Sequence, residues 1–411
     1  MTTRAGLILI ATSLLATAVL GDDRPRARGL GIPLVGVTGP LNAITDVPGV
    51  SVGHATIIEG DGKLEAGKGP VRTGVTAILP RGAEGMAMPV FAGSFALNGN
   101  GEMTGTLWVE EGGQMAGPIT ITNTHSVGTV RDAVIEWMLA RDDSLEWSLP
   151  VTAETWDGSG YNYQGLNDAN GFHVTKQHAF DALNSARPGP VTEGSVGGGT
   201  GMVCHEFKGG IGTASRVVDV DGESYTVGVL VQCNYGLRQW LKVAGAPVGL
   251  ELEHPKICFE NADYWFETSV DLPCDEVGEG REQDTGSIIV VVATDAPLLP
   301  HQLKRVARRV GPALGRMGSF VGNGSGDIFI AFSTANAEAF GYEGVMNAAM
   351  LPNSSLTPVF AGAVLATEEA ILNAMLAADT MVGANTVRVP GLPHAELQRV
   401  LKKYNRLELE R

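Results

Sequence analysis

The sequence predicts an α/β protein with α+β layers, an αββα sandwich, on three observations. The first is Ser287-Ile288-Ile289-Val290-Val291-Val292-Ala293-Thr294, a nearly continuous β-branched run. Such a run reads as a strand buried on both faces. The second is that apolar helical patterns follow it, at His301 to Met317 and at Val359 to Leu376. Apolar helices beside buried strands call for a helix–sheet–sheet–helix stack. The third is the 55 glycines in 411 residues, spread without a collagen-like period and read as turns between many strands. Hydrophobic residues at 44% supply a large core, and the length suits one large domain or two ordinary ones.

The elements follow in order. Met1-Thr2-Thr3-Arg4 carries one positive side chain before an apolar run from Leu7 to Leu20. With Val19 and Gly21 as small residues before a cut, residues 1–21 read as a signal peptide. An uncleaved anchor or a buried helix is the competing reading, and the run is short for a membrane span. No later stretch approaches 18 uninterrupted apolar residues, so the mature chain is expected to be soluble. Residues 24–60 are rich in Gly and Pro and read as an opening segment. Gly74 to Pro80 and Pro118 to Thr122 read as strands. Val127 to Arg141 has helical spacing, with Val130, Ala133, Val134, Trp137 and Met138 on one face. Leu149 to Ala153 reads as a buried strand. Gly210 to Val220 and Tyr225 to Gln232 read as a hairpin around Asp221-Gly222. Residues 245–286 are polar and turn-rich, and read as a flexible loop that ends at Gly286. Beyond the central strand, His301 to Met317 turns Leu303, Val306, Val310 and Leu314 inward. Asp327 to Phe332 reads as a strand and His394 to Tyr404 as the last helix.

A net charge of −16 argues against nucleic acid and anionic membranes as partners. Of the four cysteines, none forms a CxxC pair, which argues against a zinc knuckle. Cys258 and Cys274 flank an aromatic, acidic stretch. In an oxidising compartment they either close it with a disulfide or remain two thiols, and spacing does not decide. There is no HExxH, and no GxSxG, since Asn323 stands where the first glycine before Ser325 would be. His125 follows a strand and reads as structural.

Four places could carry chemistry. At Gly286-Ser287 a flexible loop meets a rigid strand. Glycine permits an unusual backbone and leaves its carbonyl open to attack by the serine hydroxyl. A cut there frees an α-amine with an ordinary pKa of about 7.7–8.0, able to serve Ser287 as its own base. Gly322-Asn323-Gly324-Ser325-Gly326-Asp327 places Ser325 and Asp327 in a tight loop before a strand, where they can orient a nucleophile. Glu154, at a strand end, can bind a substrate ammonium. Asn234, at another, can donate to an oxyanion. Taken singly, each is an ordinary turn or strand-end residue.

Together they resemble the DmpA-type aminopeptidases, most closely the exported β-peptidyl aminopeptidases. The matching stretches are Ile44 to His54, Thr122 to Gly128, Ala153 to Gly158 with Leu166-Asn167-Asp168, Gly197 to Met202, Val231 to Gly236, Gly286 to Pro297 and Gly324 to Asp327, in family order. The resemblance implies an αββα sandwich like that of N-terminal-nucleophile hydrolases, with different connectivity. It implies a precursor cut into an α chain, residues 22–286, and a β chain, residues 287–411, which form one domain together. By position, Ser287 matches the nucleophile, and Ser325 and Asp327 its supporting serine and acid. Asn234 matches the oxyanion-side amide, and Glu154 the carboxylate for the free amine.

The resemblance further implies a small peptide or amino-acid amide as substrate and no cofactor or metal. It implies a homo-oligomer of processed αβ heterodimers and, with the signal peptide, a periplasmic or secreted location. Three departures stand out. Trp156 stands where some members carry a substrate-site tyrosine, residues 159–164 look inserted, and the segment before Gly286 is long. The alternatives are an L-aminopeptidase/D-amidase-esterase of the same family, an ornithine acetyltransferase, against which Ser287 argues, and a periplasmic binding protein without catalysis.

Overall fold

A strand alternates faces at every residue, so a run apolar at both parities must lie between two cores. That is the situation of Ser287–Thr294. Ile288, Val290 and Val292 join one hydrophobic cluster, and Ile289, Val291 and Ala293 join another. The computed structural model describes residues 24–160, 162–276, 281, 284, 286–341 and 344–408. The signal-peptide reading falls on residues 1–21, outside the described residues.

Two sheets face each other across the second cluster. The smaller runs in the order β1 (Ser51–Glu59), β2 (Val71–Leu79), β5 (Ile119–Asn123), β6 (Val151–Thr155). The larger runs β4 (Gln114–Met115), β3 (Val90–Gly99), β14 (Gly326–Ser333), β13 (Ser287–Thr294), β10 (Glu223–Asn234), β9 (Gly210–Val220). Ile78, Ile119, Ile121 and Val151 meet Ile289, Val291, Ile328 and Ile330 between them.

The outer face of the smaller sheet is covered by α2 (Val127–Leu139) and α3 (Lys176–Ser185), through Val130, Val134, Trp137 and Leu183. The outer face of the larger is covered by α5 (Pro300–Arg308), α6 (Val310–Met317), α7 (Thr357–Leu376) and α8 (His394–Lys403). The predicted helix–sheet–sheet–helix stack is therefore the observed one. The remaining elements are short: α1 (Thr106–Gly112), α4 (Val248–Glu251), a hairpin of β7 (Val203–Cys204) and β8 (Phe207–Lys208), and a small sheet β12 (Leu272–Pro273), β11 (Cys258–Phe259), β16 (Val387–Val389), β15 (Met381–Val382).

The buried run is observed over the residues expected, and β9 and β10 pair around Asp221 and Gly222, both at positive φ as a tight hairpin turn requires. The helix expected over His301 to Met317 is two helices that break at Arg309. Pro312 has no N–H to give to a carbonyl four residues back, so it belongs in the first turn of a new helix rather than mid-helix. Leu303, Val306, Val310 and Leu314 are nonetheless all buried. Sequence reasoning missed β1, inside the segment read as opening, and β3, whose apolar pattern Gly93 and Gly99 interrupt. It also missed α3, which is short and largely polar. The helix α7 is long and apolar enough to cross a membrane, yet 78% of its apolar window is covered by the protein itself.

Cys258 and Cys274, 16 positions apart, are joined, which closes the segment from β11 to just past β12. A second disulfide, Cys204 to Cys233, ties the β7–β8 hairpin to β10 and was not anticipated.

Candidate active site

The registers of the larger sheet bring the site together. Asn234 on β10 lies opposite Ser287 on β13, and Ser287 lies opposite Gly326 on β14. Three candidate segments far apart in sequence therefore share one sheet end. Ser287 Oγ accepts the Gly326 N–H at 3.0 Å, which leaves its own proton to donate. Ser325 and Asp327 flank that N–H. Ser325 Oγ donates to Asp327 Oδ1 at 2.7 Å, and both side chains are buried. The loop carrying them is pinned from β3 and its edge, where Asn98 Nδ2 donates to the Gly322 carbonyl at 2.6 Å and Asn100 Nδ2 to the Gly324 carbonyl at 2.7 Å. Burial pushes the Asp327 carboxyl up to about 6, against the opposing Ser325 hydrogen bond and with the neighbouring charge of Asp284 adding to the rise.

Ser287 follows Gly286, and the glycine is required by space. A Cβ on residue 286 would lie 2.1 Å from the Asn234 carbonyl oxygen and 2.8 Å from Tyr235 Cα. Asn234 is oriented at both ends of its amide. Its Oδ1 accepts the Val203 N–H at 2.7 Å, and its Nδ2 donates to the Trp156 carbonyl at 2.9 Å. An amide nitrogen carries two hydrogens, so one remains to face a reacting oxygen.

The opposite sheet contributes Glu154 at the end of β6. Its Oε1 accepts the Glu102 N–H at 2.9 Å, and its Oε2 accepts the Thr124 hydroxyl. Glu154 is 3% exposed, and burial raises its pKa despite those donors. A Cβ on Gly101 would lie 3.1 Å from Glu154 Oε1 and 3.4 Å from Gly326 Cα, so Gly101 stands between this carboxylate and the glycine whose N–H donates to Ser287. A carboxylate so placed gains from an ammonium partner, which restores the charge compensation lost on burial. Trp156 walls a cleft with Tyr163, Glu206, Asn234, Arg281 and Gly286, the residue before Ser287. His125 packs edge-on against Trp156 at 4.9 Å and stacks on Phe172 at 5.8 Å, which fits its structural reading.

All seven predicted site residues thus gather at one end of the two sheets. Several contributors were missed. Gly326 acts through its backbone, which no side-chain pattern announces. Thr124 lies inside a matched stretch, but only the fold turns it onto Glu154. Lys208 is fully buried and donates to the carbonyls of Met202 at 2.7 Å and Gly209 at 2.9 Å, bracing the turn whose Val203 N–H holds Asn234. Burial lowers its pKa to about 7. Gln232 donates to the Thr122 carbonyl and Thr155 Oγ1, and so joins β10 to the ends of β5 and β6. Two departures noted in the sequence meet here. Tyr163, from the insertion, lies under the Arg281 guanidinium at 4.7 Å, and Arg281 is paired with Asp271 of the disulfide-closed loop.

A serine that opens a central strand of an αββα sandwich, beside an amide on one neighbouring strand and a backbone N–H on the other, defines a serine hydrolase of the N-terminal-nucleophile type. The chain belongs to peptidase family S58, whose model matches residues 42–389. It is 56% identical over 400 residues to the β-peptidyl aminopeptidase BapA of Sphingosinicella microcystinivorans, covering 97% of each chain. Among solved structures it is similar to the L-aminopeptidase D-Ala-esterase/amidase of Ochrobactrum anthropi, described as a prototype for the serine aminopeptidases and a variant of the Ntn hydrolase fold. The TM-score is 0.80 and the identity 45%, over 93% of this chain and 100% of that one. A Burkholderia β-aminopeptidase gives a TM-score of 0.78 and 45% identity, over 92% of this chain and 98% of that one.

Proposed function

We propose that this serine aminopeptidase cuts itself between Gly286 and Ser287 and then releases N-terminal β-amino acids from peptides and amides. The observation that carries the reading is the placement of Ser287 at the start of β13, between Asn234 and Gly326 with Glu154 alongside. Ser287 Oγ attacks the carbonyl of the substrate's first residue, and the Ser287 α-amine takes the proton. The remaining hydrogen of the Asn234 amide holds the oxyanion. Glu154 binds the substrate ammonium, which restricts cleavage to the first residue. The leaving amine takes the proton, and water hydrolyses the ester to regenerate Ser287. Asp327, through Ser325, maintains the electrostatics of the loop that positions Ser287.

The preference for β-residues is supported by the 56% identity to a β-peptidyl aminopeptidase. The likeness to an L-aminopeptidase D-Ala-esterase/amidase supports the second reading within the family. Comparing kcat/KM on β-homoglycyl, β-alanyl, L-alanyl and D-alanyl p-nitroanilides decides between them, with the β-substrates expected to be faster. Residues 1–21 direct export to the periplasm or medium, and processed heterodimers assemble into a homo-oligomer. N-terminal sequencing of protein from the cell envelope and light scattering test these two points. Ser287→Ala is expected to leave the chain whole by mass spectrometry and without aminopeptidase activity. A single uncut chain that still turns over aminoacyl amides would sink the mechanism.

A further inference from the structure

We propose that Asp284 is a positioning residue for self-cleavage, clamping the segment before the scissile bond so that the Gly286 carbonyl is held against Ser287 Oγ. The inference rests on the reading that the chain cuts itself at Gly286-Ser287. In the sequence Asp284 is one more acid in a polar loop, and a loop acid ordinarily points to water. Here its carboxylate turns inward instead. Its Oδ1 accepts the Gly236 N–H at 3.0 Å. Burial raises its pKa, opposed by the N–H groups of Gly236, Gly286 and Gly322 and by the Ser319 hydroxyl.

These donors come from three directions. Gly236 lies just beyond β10, Ser319 and Gly322 lie between α6 and β14, and Gly286 is the residue whose bond breaks. Asp284 thereby meets the ends of both strands that flank Ser287, by its hydrogen bond to Gly236 beyond β10 and by close packing against Gly322 before β14. The fit is close on each side. A Cβ on Gly322 would lie 2.5 Å from the Asp284 carbonyl oxygen and 2.9 Å from its Cβ, and one on Gly286 would strike the Asn234 carbonyl. A second anchor stands upstream, where the Arg281 guanidinium meets both oxygens of Asp271 at 3.1 and 2.6 Å.

Self-cleavage makes such a clamp necessary. Ser287 Oγ must reach the carbonyl carbon of its own preceding residue. The C–O ester bond forms, the Gly286–Ser287 C–N bond breaks, and the hydroxyl proton passes to the released amine. Water then hydrolyses the ester to a Gly286 carboxylate and the Ser287 hydroxyl. Glycine makes the approach sterically possible but also leaves the backbone many other conformations. Fixing the segment next to it converts a rare geometry into a standing one, which is where orientation contributes to rate.

The test follows the appearance of the cut chain with time in full-length Asp284→Ala and Asp284→Asn, by mass spectrometry. Thermal midpoints of Asp284→Ala/Ser287→Ala and Ser287→Ala are compared in parallel, both uncut. Cutting is expected to slow on the order of 10- to 100-fold in Asp284→Ala. Asp284→Asn, whose amide oxygen still accepts the Gly236 N–H, should fall between it and the wild type, with the midpoints of the uncut pair alike. Cutting of Asp284→Ala at the wild-type rate overturns the proposal, as does slow cutting matched by a lowered midpoint. If Asp284→Ala is not recovered folded, Asp284→Asn decides on the same two readouts. A wild-type chain that never cuts would overturn the underlying reading instead, so the two failures are distinguishable.

Discussion

Asp327 joins the chemistry of single residues to measurable pH behaviour. Burial lifts its carboxyl up to about 6, and the Asp284 charge adds to the rise. Only the ionised form accepts the Ser325 proton fully and supplies a negative charge near Ser287. Activity as kcat/KM is therefore expected to rise in two steps, through about 6 as Asp327 ionises and again as the Ser287 α-amine, ordinarily about 7.7–8.0, loses its proton, and Asp327→Asn should remove the lower step. Stability runs the other way. The folded pKa lies above the unfolded value of about 3.9, so the folded state binds the proton more tightly. Its contribution is fully present below about pH 4 and is lost as pH rises through about 6. Thermal midpoints between pH 4 and 7 should show a smaller fall in Asp327→Asn than in the wild type.

At the scale of elements, the site depends on how closely the layers approach. The helix α7 lies on β9 and β10, and comes close to β9 at Gly212. A Cβ there would lie 2.0 Å from the Ala370 carbonyl oxygen and 2.6 Å from the Ala374 N. Gly212→Val must push helix and sheet apart, an overpacking worth about 1–3 kcal/mol or more. A lower thermal midpoint is expected, and because β10 carries Asn234, the cut at Gly286 should slow as well. A wild-type midpoint would mean that the layers are looser than these distances indicate. Sequence periodicity located both strands of this contact but gave no measure of their separation from α7.

For the whole molecule, the proposed cut at Gly286-Ser287 falls inside one sheet. Residues 287–411 supply β13 and β14, which pair with β10 and β3 from the other side of the cut, over eight register positions in each case. Their side chains fill the same cores. The two chains, of about 28 and about 13 kDa once a signal peptide of about 21 residues is removed, should therefore elute together on a sizing column after processing. They should separate only in denaturant. Elution as independent fragments under native conditions would contradict a shared core.

What the sequence determined by itself was the layer order, the central strand and a set of candidate site residues. Runs of β-branched residues and helical apolar faces carry the first two, because burial on one or both faces imposes a period that a single chain records. Seven matching stretches in family order carried the third. The tertiary structure decided everything that depends on segments far apart in sequence. It set Ser287 between Asn234 and Gly326, turned Thr124 and the Glu102 N–H onto Glu154, and joined Cys204 to Cys233. It also turned Asp284, one more loop acid in the sequence, inward onto the Gly236 N–H. Gly286-Ser287 looks like any turn into a strand until the fold closes around it. Backbone donors and close approaches leave no mark on side-chain patterns, since they arise only when strands with long intervening loops come into register.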